Sequence, residues 1–492
     1  MRLAQVFSIF SSLRLGDSPT QEVSQIFFDS RAVEKNSVFV AIGGEKSDGH
    51  SFLKQACEKG AIGLVVENSK NVPSDFKGAV AIVSNARKSL NEIAAHFYGR
   101  PSEKLFVVGI TGTNGKTTTT NMVERVLNEY GWPTGVIGTI DNHFLDQVWS
   151  SELTTPDPIA FQRRLSEFVA LGAQAVCLEV SSHALMQSRV DEVQFDVAVF
   201  TNLTRDHLDY HHTMENYFFA KLKLFNELLA QSKKKNIYAV INTDDEYGVR
   251  LMGLTSGKAI SYGKREAQLR FEILDMDYRG TRFEIHTSFG SCVFEIKMTG
   301  LHNVYNAAAA IGVGLSAGAS LATCAKGLAK LENVNGRLHF VPNPSGLYIF
   351  VDYAHTDDAL KNSLSHLNQI KMQKNPQSKL ICIFGCGGDR DKGKRPLMLK
   401  AAQEFADIVI VTSDNPRTED PSVIISDIVG LQKETKNLKV EVDRRQAIFK
   451  ALKMAKSGDA ILIAGKGHED YQIIGTVKHK FSDVEVVKEY FA

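Results

Sequence analysis

Short, unbroken apolar runs alternate along this chain with segments whose apolar side chains recur every three or four positions. The runs Ser37-Val38-Phe39-Val40-Ala41-Ile42, Ala61-Ile62-Gly63-Leu64-Val65-Val66 and Leu105-Phe106-Val107-Val108-Gly109-Ile110 predict buried strands. Further strands are expected over 175–180, 197–201, 238–242, 347–353, 380–385, 408–412 and 460–464. Met122, Val123, Val126, Leu127 and Tyr130 mark one face of a helix that Gly131 stops, and residues 217–225 read as another amphipathic helix. Leu3, Val6, Phe7, Phe10 and Leu13 keep helical spacing near the N-terminus. Residues 270–298 alternate apolar with polar, the pattern of an antiparallel meander. Strands and helices in regular alternation predict α/β domains with mainly parallel sheets.

With 492 residues the chain has room for about three domains. A first segment runs over 1–99, the tripeptide Gly99-Arg100-Pro101 reads as a hinge into a second over 100–335, and a third starts near Gly336-Arg337 and covers 336–492. The formal charge of +1 gives no case for a nucleic-acid partner, which would call for a basic surplus. Six cysteines are scattered without any Cys-x-x-Cys pair, as expected of reduced thiols rather than disulfides or a zinc site. The serines between the first apolar residues argue against a signal peptide, and no run reaches the length of a membrane span. A cytoplasmic monomer without membrane insertion is the expectation.

The chemistry concentrates where predicted strands end. Gly112-Thr113-Asn114-Gly115-Lys116-Thr117-Thr118 lies between a strand and a helix, the layout of a phosphate-binding loop. Backbone N–H groups and the helix N-terminus would face the anion, Lys116 would reach the terminal phosphates, and the Thr117 hydroxyl would meet Mg²⁺. Ile110 stands where the strict motif has its first glycine, leaving a shortened form. Glu179 ends the strand 175–180, placed to serve a metal directly or through water, or else to cap the following helix. His207, His211 and His212 crowd one loop without a cysteine nearby, which favours ligands beside Mg-ATP over a zinc site. Lys221 by itself reads as a solvated charge.

Asn303 and Asn306 sit three apart on one helical face, able to read adenine or simply to cap. Val351-Asp352-Tyr353-Ala354-His355 ends another strand with an acid and a histidine. The turn from Gly385 to Arg395, with Asp414-Asn415-Pro416-Arg417 and Gly465-Lys466-Gly467-His468-Glu469-Asp470, makes a mixed-charge cup suited to a zwitterion such as an amino acid.

The G-T-N-G-K-T-T loop, Gly300-Leu301-His302-Asn303-Val304-Tyr305-Asn306-Ala307, Gly336-Arg337 and the 351–355 segment together resemble the Mur ligase family, over all three segments. Glu179-Val180-Ser181-Ser182-His183-Ala184-Leu185 with Gln187 and Arg189, and Asp414-Asn415-Pro416-Arg417 followed by Glu419, resemble its diaminopimelate-adding branch. The resemblance implies an N-terminal mixed α/β UDP-binding domain, a central P-loop ATPase-like parallel sheet with helices, and a C-terminal Rossmann-like α/β domain for the amino acid. It implies ATP and Mg²⁺ as cofactors, and a ligase of peptidoglycan precursor synthesis. That ligase would add meso-2,6-diaminopimelate to the D-Glu γ-carboxylate of UDP-N-acetylmuramoyl-L-alanyl-D-glutamate.

By the same resemblance, Gly112, Thr113, Asn114, Gly115, Lys116, Thr117, Thr118, Asn303, Asn306, Arg337 and Asp352 would hold ATP. Thr117, Glu179, His207 and Lys221 would serve the metals, with Lys221 as a carbamate (N6-carboxylysine). Ser30, Lys46, Ser47, Thr154, Thr155, Ser181, Gln187 and Arg189 would take the muramoyl dipeptide. Arg390, Asp414, Asn415, Pro416, Arg417, Gly465 and Glu469 would take diaminopimelate. A nucleotide site drawing on two domains implies closure during the reaction. Leu153 stands where relatives often have asparagine, and Asp357 where they have proline. A lysine-adding relative, a folylpolyglutamate synthetase and a nucleotide-gated scaffold without turnover are the alternatives.

Overall fold

The computed structural model describes residues 1–44 and 47–492. It forms two compact units, Met1–Arg270 with Tyr305–Gly327, and Phe271–Val304 with Leu328–Ala492.

The first unit opens with a five-stranded sheet in the order Leu13–Arg14, Ala79–Ile82, Ala61–Val66, Ser37–Val40, Ile26–Phe27. All its pairings are parallel except that of the Leu13–Arg14 edge. The N-terminal helix is shorter than its apolar spacing suggests, covering Leu3–Phe7. Ser8 explains the stop, since its hydroxyl donates to Gln5 O at 2.7 Å and competes with the helical ladder. Phe10 and Leu13 still pack on the same core as Leu3, Val6 and Phe7. Gly99 and Arg100 do turn the chain, both with positive φ. Ile159 nevertheless joins the core of the first ninety residues, and the stretches on both sides of the turn belong to one compact unit.

Six parallel strands follow in the order Lys258–Gly263, Tyr238–Asn242, Val197–Phe200, Phe106–Thr111, Ala175–Glu179, Thr134–Ile137. All but Lys258–Gly263 are buried almost throughout, which is why they read as continuous apolar runs rather than alternating ones. The helix Lys116–Tyr130 leaves Phe106–Thr111 and leads to Thr134–Ile137 two places away. Ala175–Glu179 fills the gap, and Val197–Phe200 then lies on the other side. Strand order therefore reverses at Phe106–Thr111, and the crevice beyond its carboxyl end is the place for a ligand.

Asp141–Phe144 and Gln147–Ser150 continue this sheet antiparallel. His143 Nδ1 lies 2.6 Å from Asp141 and its Nε2 3.6 Å from Glu124. Burial opposes the charge on this imidazole, but the two carboxylates outweigh it and raise its pKa from 6.5 to about 9. A raised pKa adds stability that is complete below 6.5 and disappears as pH climbs through about 9. Chemical denaturation across that window is expected to show a loss on the order of 2 kcal/mol, which His143→Gln should flatten. An identical slope in that variant would remove His143 as the cause.

From Phe271 on, the second unit contains the alternating region, with the rest of the strand Leu269–Asp277, then Gly280–Thr287 and Gly290–Ile296, the last two antiparallel. Tyr278, in its first turn, enters the core beneath the helix Asp357–Lys374 and donates to Leu367 O at 3.0 Å. That anchorage explains why residues 271–304 group with the C-terminal segment. The six-stranded sheet runs His339–Val341, Tyr348–Asp352, Ala460–Ala464, Leu380–Phe384, Ile408–Val411, Leu438–Val440, parallel but for the first edge. Apolar cores cover both of its faces. Among the described residues no helix is long and apolar enough to cross a membrane.

Candidate active site

The glycine loop is fastened to the end of the neighbouring strand. Thr113 N donates to Asn202 O and Asn114 N to the Asn202 side-chain oxygen, both at 2.9 Å. Thr201 Oγ1 donates to Asn114 O at 2.6 Å, and Thr204 N to Thr113 Oγ1 at 3.0 Å. Gly112 is indispensable to this approach: at φ +152° a Cβ would lie 1.9 Å from Thr201 Oγ1. Lys116 folds over the loop and donates to Gly112 O and Thr113 O at 2.9 and 2.8 Å. Asn306 accepts from Thr119 Oγ1 at 3.2 Å, so its amide lies against the first turn of the loop's helix. Asn303 donates its side-chain amide to Thr299 O at 2.7 Å.

Glu179, 1% exposed, is opposite Ile110 in the parallel register, beside the strand that carries the loop. Its carboxylate accepts from Thr139 N at 2.8 Å and Thr139 Oγ1 at 3.0 Å. From there one network collects most of the residues assigned to the sugar-peptide substrate. Thr139 Oγ1 is 3.1 Å from Thr154 Oγ1, and Thr155 Oγ1 donates to Glu179 O at 2.8 Å. Ser181 N donates to Thr155 Oγ1, Arg189 to Thr155 O at 2.7 Å, and Arg189 again to Gln187 Oε1 at 2.6 Å. Leu153 is exposed. Ser30 is buried and donates to Gln55 at 2.8 Å, whereas Ser47 is exposed and Lys46 falls outside the described residues.

Lys221 is not a solvated charge. It is 1% exposed, donates to Gly112 O at 3.0 Å and sits 4.5 Å from the Tyr217 ring centre. Burial, with the Lys116 ammonium adding to it, drives its pKa well below that of a free lysine. Lys223, two residues on, instead pairs with Asp191 at 2.8 Å. Burial first, then His183, Lys221 and His207, lower the His211 pKa to about 4; His183 is lowered by burial and His207. The His183 and His207 rings lie 5.0 Å apart, and His211 stacks on Tyr217 at 4.9 Å. Sequence reasoning gave no role to Tyr217, whose hydroxyl is 3.3 Å from Thr113 Oγ1, nor to Thr201 or Asn202. The sequence signal was only that Thr201 and Asn202 directly follow the apolar run Val197–Phe200; which strand lies beside it was not legible.

In the second unit, Asp352 accepts from Leu338 N at 2.7 Å and Ala354 N at 3.0 Å, fixing the turn that holds Arg337. The Arg337 guanidinium lies 5.5 Å from the Tyr353 ring centre. The charged cup is assembled much as its residue types imply. Asn415 donates to Glu469 at 2.8 Å, and Lys466 reaches Asn415 and Glu469 at 3.2 Å. Gly465 leaves room for Asp414, whose Oδ2 would be 2.6 Å from a Cβ there. The Arg417 side chain donates to Gly388 O at 2.9 Å, and Arg390 is exposed. Arg444 and Asp483, both fully buried, pair at 2.7 Å, and Arg444 also holds Ala464 O at 2.9 Å. That ion pair secures the strand end from which Gly465 follows.

Three family models match in succession: "Mur ligase family, catalytic domain" over residues 22–98, "Mur ligase middle domain" over 110–314, and "Mur ligase, glutamate ligase domain" over 336–467. The UDP-N-acetylmuramoyl-L-alanyl-D-glutamate–2,6-diaminopimelate ligase of Geobacter metallireducens is 43% identical over 100% of this chain and 98% of its own. The chain belongs to the Mur ligase family. The ligase of the same name from Aquifex aeolicus is 44% identical over 96% of this chain and 98% of its own. A solved structure of a UDP-N-acetylmuramoyl-L-alanyl-D-glutamate–2,6-diaminopimelate ligase superimposes with a TM-score of 0.72 at 32% identity, covering 100% of this chain and 98% of that one. Mur ligases are ATP-dependent amide ligases, and this chain shares their three-domain α/β architecture.

For a Mur ligase the question of Mg²⁺ turns on the donor set. Among the described residues no three His, Cys, Asp or Glu side chains gather into a protein-only cage. Glu179 at a strand end and the Thr117 hydroxyl in the first turn of the helix Lys116–Tyr130 suit Mg²⁺ all the same, since this ion is commonly held by one or two carboxylates and by substrate phosphates. An unmodified Lys221 ammonium would not fit there, whereas an uncharged Lys221 amine can add CO₂ and lose a proton to become an anionic carbamate.

Proposed function

We propose that this Mur ligase adds meso-2,6-diaminopimelate to the D-Glu γ-carboxylate of UDP-N-acetylmuramoyl-L-alanyl-D-glutamate, in peptidoglycan precursor synthesis. The observation that carries the reading is the hydrogen-bonded network joining Thr154, Thr155, Ser181, Gln187 and Arg189 to Glu179, beside the phosphate loop. It supports an acidic acceptor lying beside ATP at the carboxyl ends of neighbouring strands. The relatives' names supply the substrates.

The γ-carboxylate attacks the ATP γ-phosphate in line, giving an acyl phosphate and ADP. The amine of the incoming amino acid then attacks the acyl carbon, and inorganic phosphate leaves. Lys116 and the loop N–H groups neutralise charge on the transferring phosphoryl group, and Arg189 orients the peptide carboxylate. Mg²⁺, held through Thr117, Glu179, His207 and the Lys221 carbamate, would supply further charge neutralisation on the phosphates. Asn303, Asn306, Arg337 and Asp352 complete the nucleotide's contacts. Ser30, Lys46 and Ser47 meet the uridine end. The functional division is 1–99 for the UDP substrate, 100–335 for ATP and 336–492 for the amino acid, in a cytoplasmic monomer.

Arg390 and Arg417 take the two carboxylates of diaminopimelate, with Asp414, Asn415, Gly465 and Glu469 on its ammonium groups. Lysine lacks the far carboxylate and would leave a guanidinium fork unpaired. Phosphate release with ATP and the muramoyl dipeptide, measured with diaminopimelate, L-lysine or no acceptor, is the test. Turnover is expected with diaminopimelate alone. Preference for lysine would assign the chain to the lysine-adding reaction, and release without any acceptor would remove the ligase reading.

A further inference from the structure

Two loops carry the arginines of the amino-acid cup, one over residues 385–393 and one over 414–419. Each holds a non-glycine residue in the left-handed region, Asp389 at φ +55° and Arg417 at φ +52°. Such backbone persists only where its surroundings over-determine it. The loops meet closely, and a Cβ on Gly388 would lie 1.9 Å from Pro416 O. Gly388 N donates to Asn415 O at 2.9 Å, and Thr418 Oγ1 donates to the Asp389 carboxylate at 2.8 Å.

Beneath this seam lies Arg395, fully buried on the helix Lys394–Phe405. It grips Glu419 with both terminal nitrogens, at 3.0 and 2.9 Å, and reaches Asp427 at 2.7 Å. Glu419 in turn accepts from Asp389 N at 2.6 Å. One carboxylate thus joins the loop bearing Arg390, the loop bearing Arg417 and a buried guanidinium on a helix. A bidentate pair of this kind fixes geometry as well as charge.

We propose that Glu419, held by Arg395, is a positioning residue that sets the spacing between Arg390 and Arg417 and so the selectivity for an acceptor with a carboxylate at each end. The inference rests on the reading that these two arginines bind diaminopimelate. The Arg395 hydrogen bonds, then the Asp389 N–H, depress the Glu419 pKa from 4.5 to about 2. The clamp is therefore complete above 4.5 and is lost only as pH falls toward about 2.

Glu419→Gln in the full chain keeps the shape and removes the charge. With ATP and the muramoyl dipeptide saturating, KM for diaminopimelate is expected to rise about tenfold or more, with kcat and the KM for ATP nearly unchanged. The ratio of kcat/KM for diaminopimelate over that for L-lysine should fall by a similar factor. Thr418→Ala, a milder change at an exposed position, should move the same ratio in the same direction, and keeps the test open if Glu419→Gln folds poorly. A lower melting temperature with an unchanged selectivity ratio in both variants would reduce Glu419 to a structural role and overturn the proposal. Normal diaminopimelate addition by Arg417→Ala would overturn instead the reading beneath it, a result independent of the Glu419 measurements.

Discussion

Arg417→Ala is expected to lose diaminopimelate addition, with kcat/KM for that amino acid reduced on the order of 10⁴-fold, while ATP and the muramoyl dipeptide still bind. Among the described residues the Arg417 side chain hydrogen-bonds to Gly388 O, using one of its five possible donors. A planar fork remains for a carboxylate, and the backbone holding it is pinned by Arg417 N to Ile473 O at 3.1 Å and Gly475 N to Arg417 O at 2.7 Å. Removing the fork leaves one end of diaminopimelate unpaired in a site arranged for it. Arg417→Lys should recover only part of the loss, because an ammonium cannot pair bidentately. Isothermal titration with each substrate alongside steady-state kinetics separates binding from turnover. Wild-type rates in Arg417→Ala would remove Arg417 from the acceptor site.

The second large effect concerns the phosphate loop. Gly112→Ala is expected to weaken ATP binding by roughly 100-fold or more, since a displacement near 1 Å suffices for such a loss. The added methyl would meet Thr201 Oγ1, the hydroxyl that donates to Asn114 O and fixes the loop. It would also disturb Gly112 O, which both Lys116 and Lys221 contact. Gly131→Ala is the control, because Gly131 also has positive φ, +100°, but nothing lies within 4 Å of its missing Cβ. That change should cost about 1 kcal/mol of stability at the helix end and leave ATP affinity alone. Equal losses of ATP affinity in the two variants would show that loop geometry is not what Gly112 supplies.

How much of the site was legible depended on whether its signal is local. The loop, Glu179 and Arg417 lie in contiguous motifs, so their places at strand ends follow from apolar runs and the residues just after them. Lys221 shows the opposite case. Within Tyr217–Phe225 only its spacing from Tyr217 separates it from Lys223. Its burial against Gly112 O and the pairing of Lys223 with Asp191 come from segments about a hundred and about thirty residues away. Asn303 and Asn306 illustrate a third case, where shared helical spacing did not give shared surroundings, one amide meeting Thr299 O and the other Thr119.

The sequence by itself determined the α/β class, the strand cores and the helix that Gly131 ends, because burial on both faces of a parallel sheet demands continuous apolar runs. It also determined which residue types crowd the strand ends. Only the tertiary structure decided that Thr201 and Asn202 fasten the loop, that Tyr278 carries residues 271–304 into the second unit, and that Arg395 lies under the acceptor cup. These facts depend on which strands become neighbours and which side chains lose water. Sheet order arises from packing among distant segments, and the period of a local pattern carries no record of it.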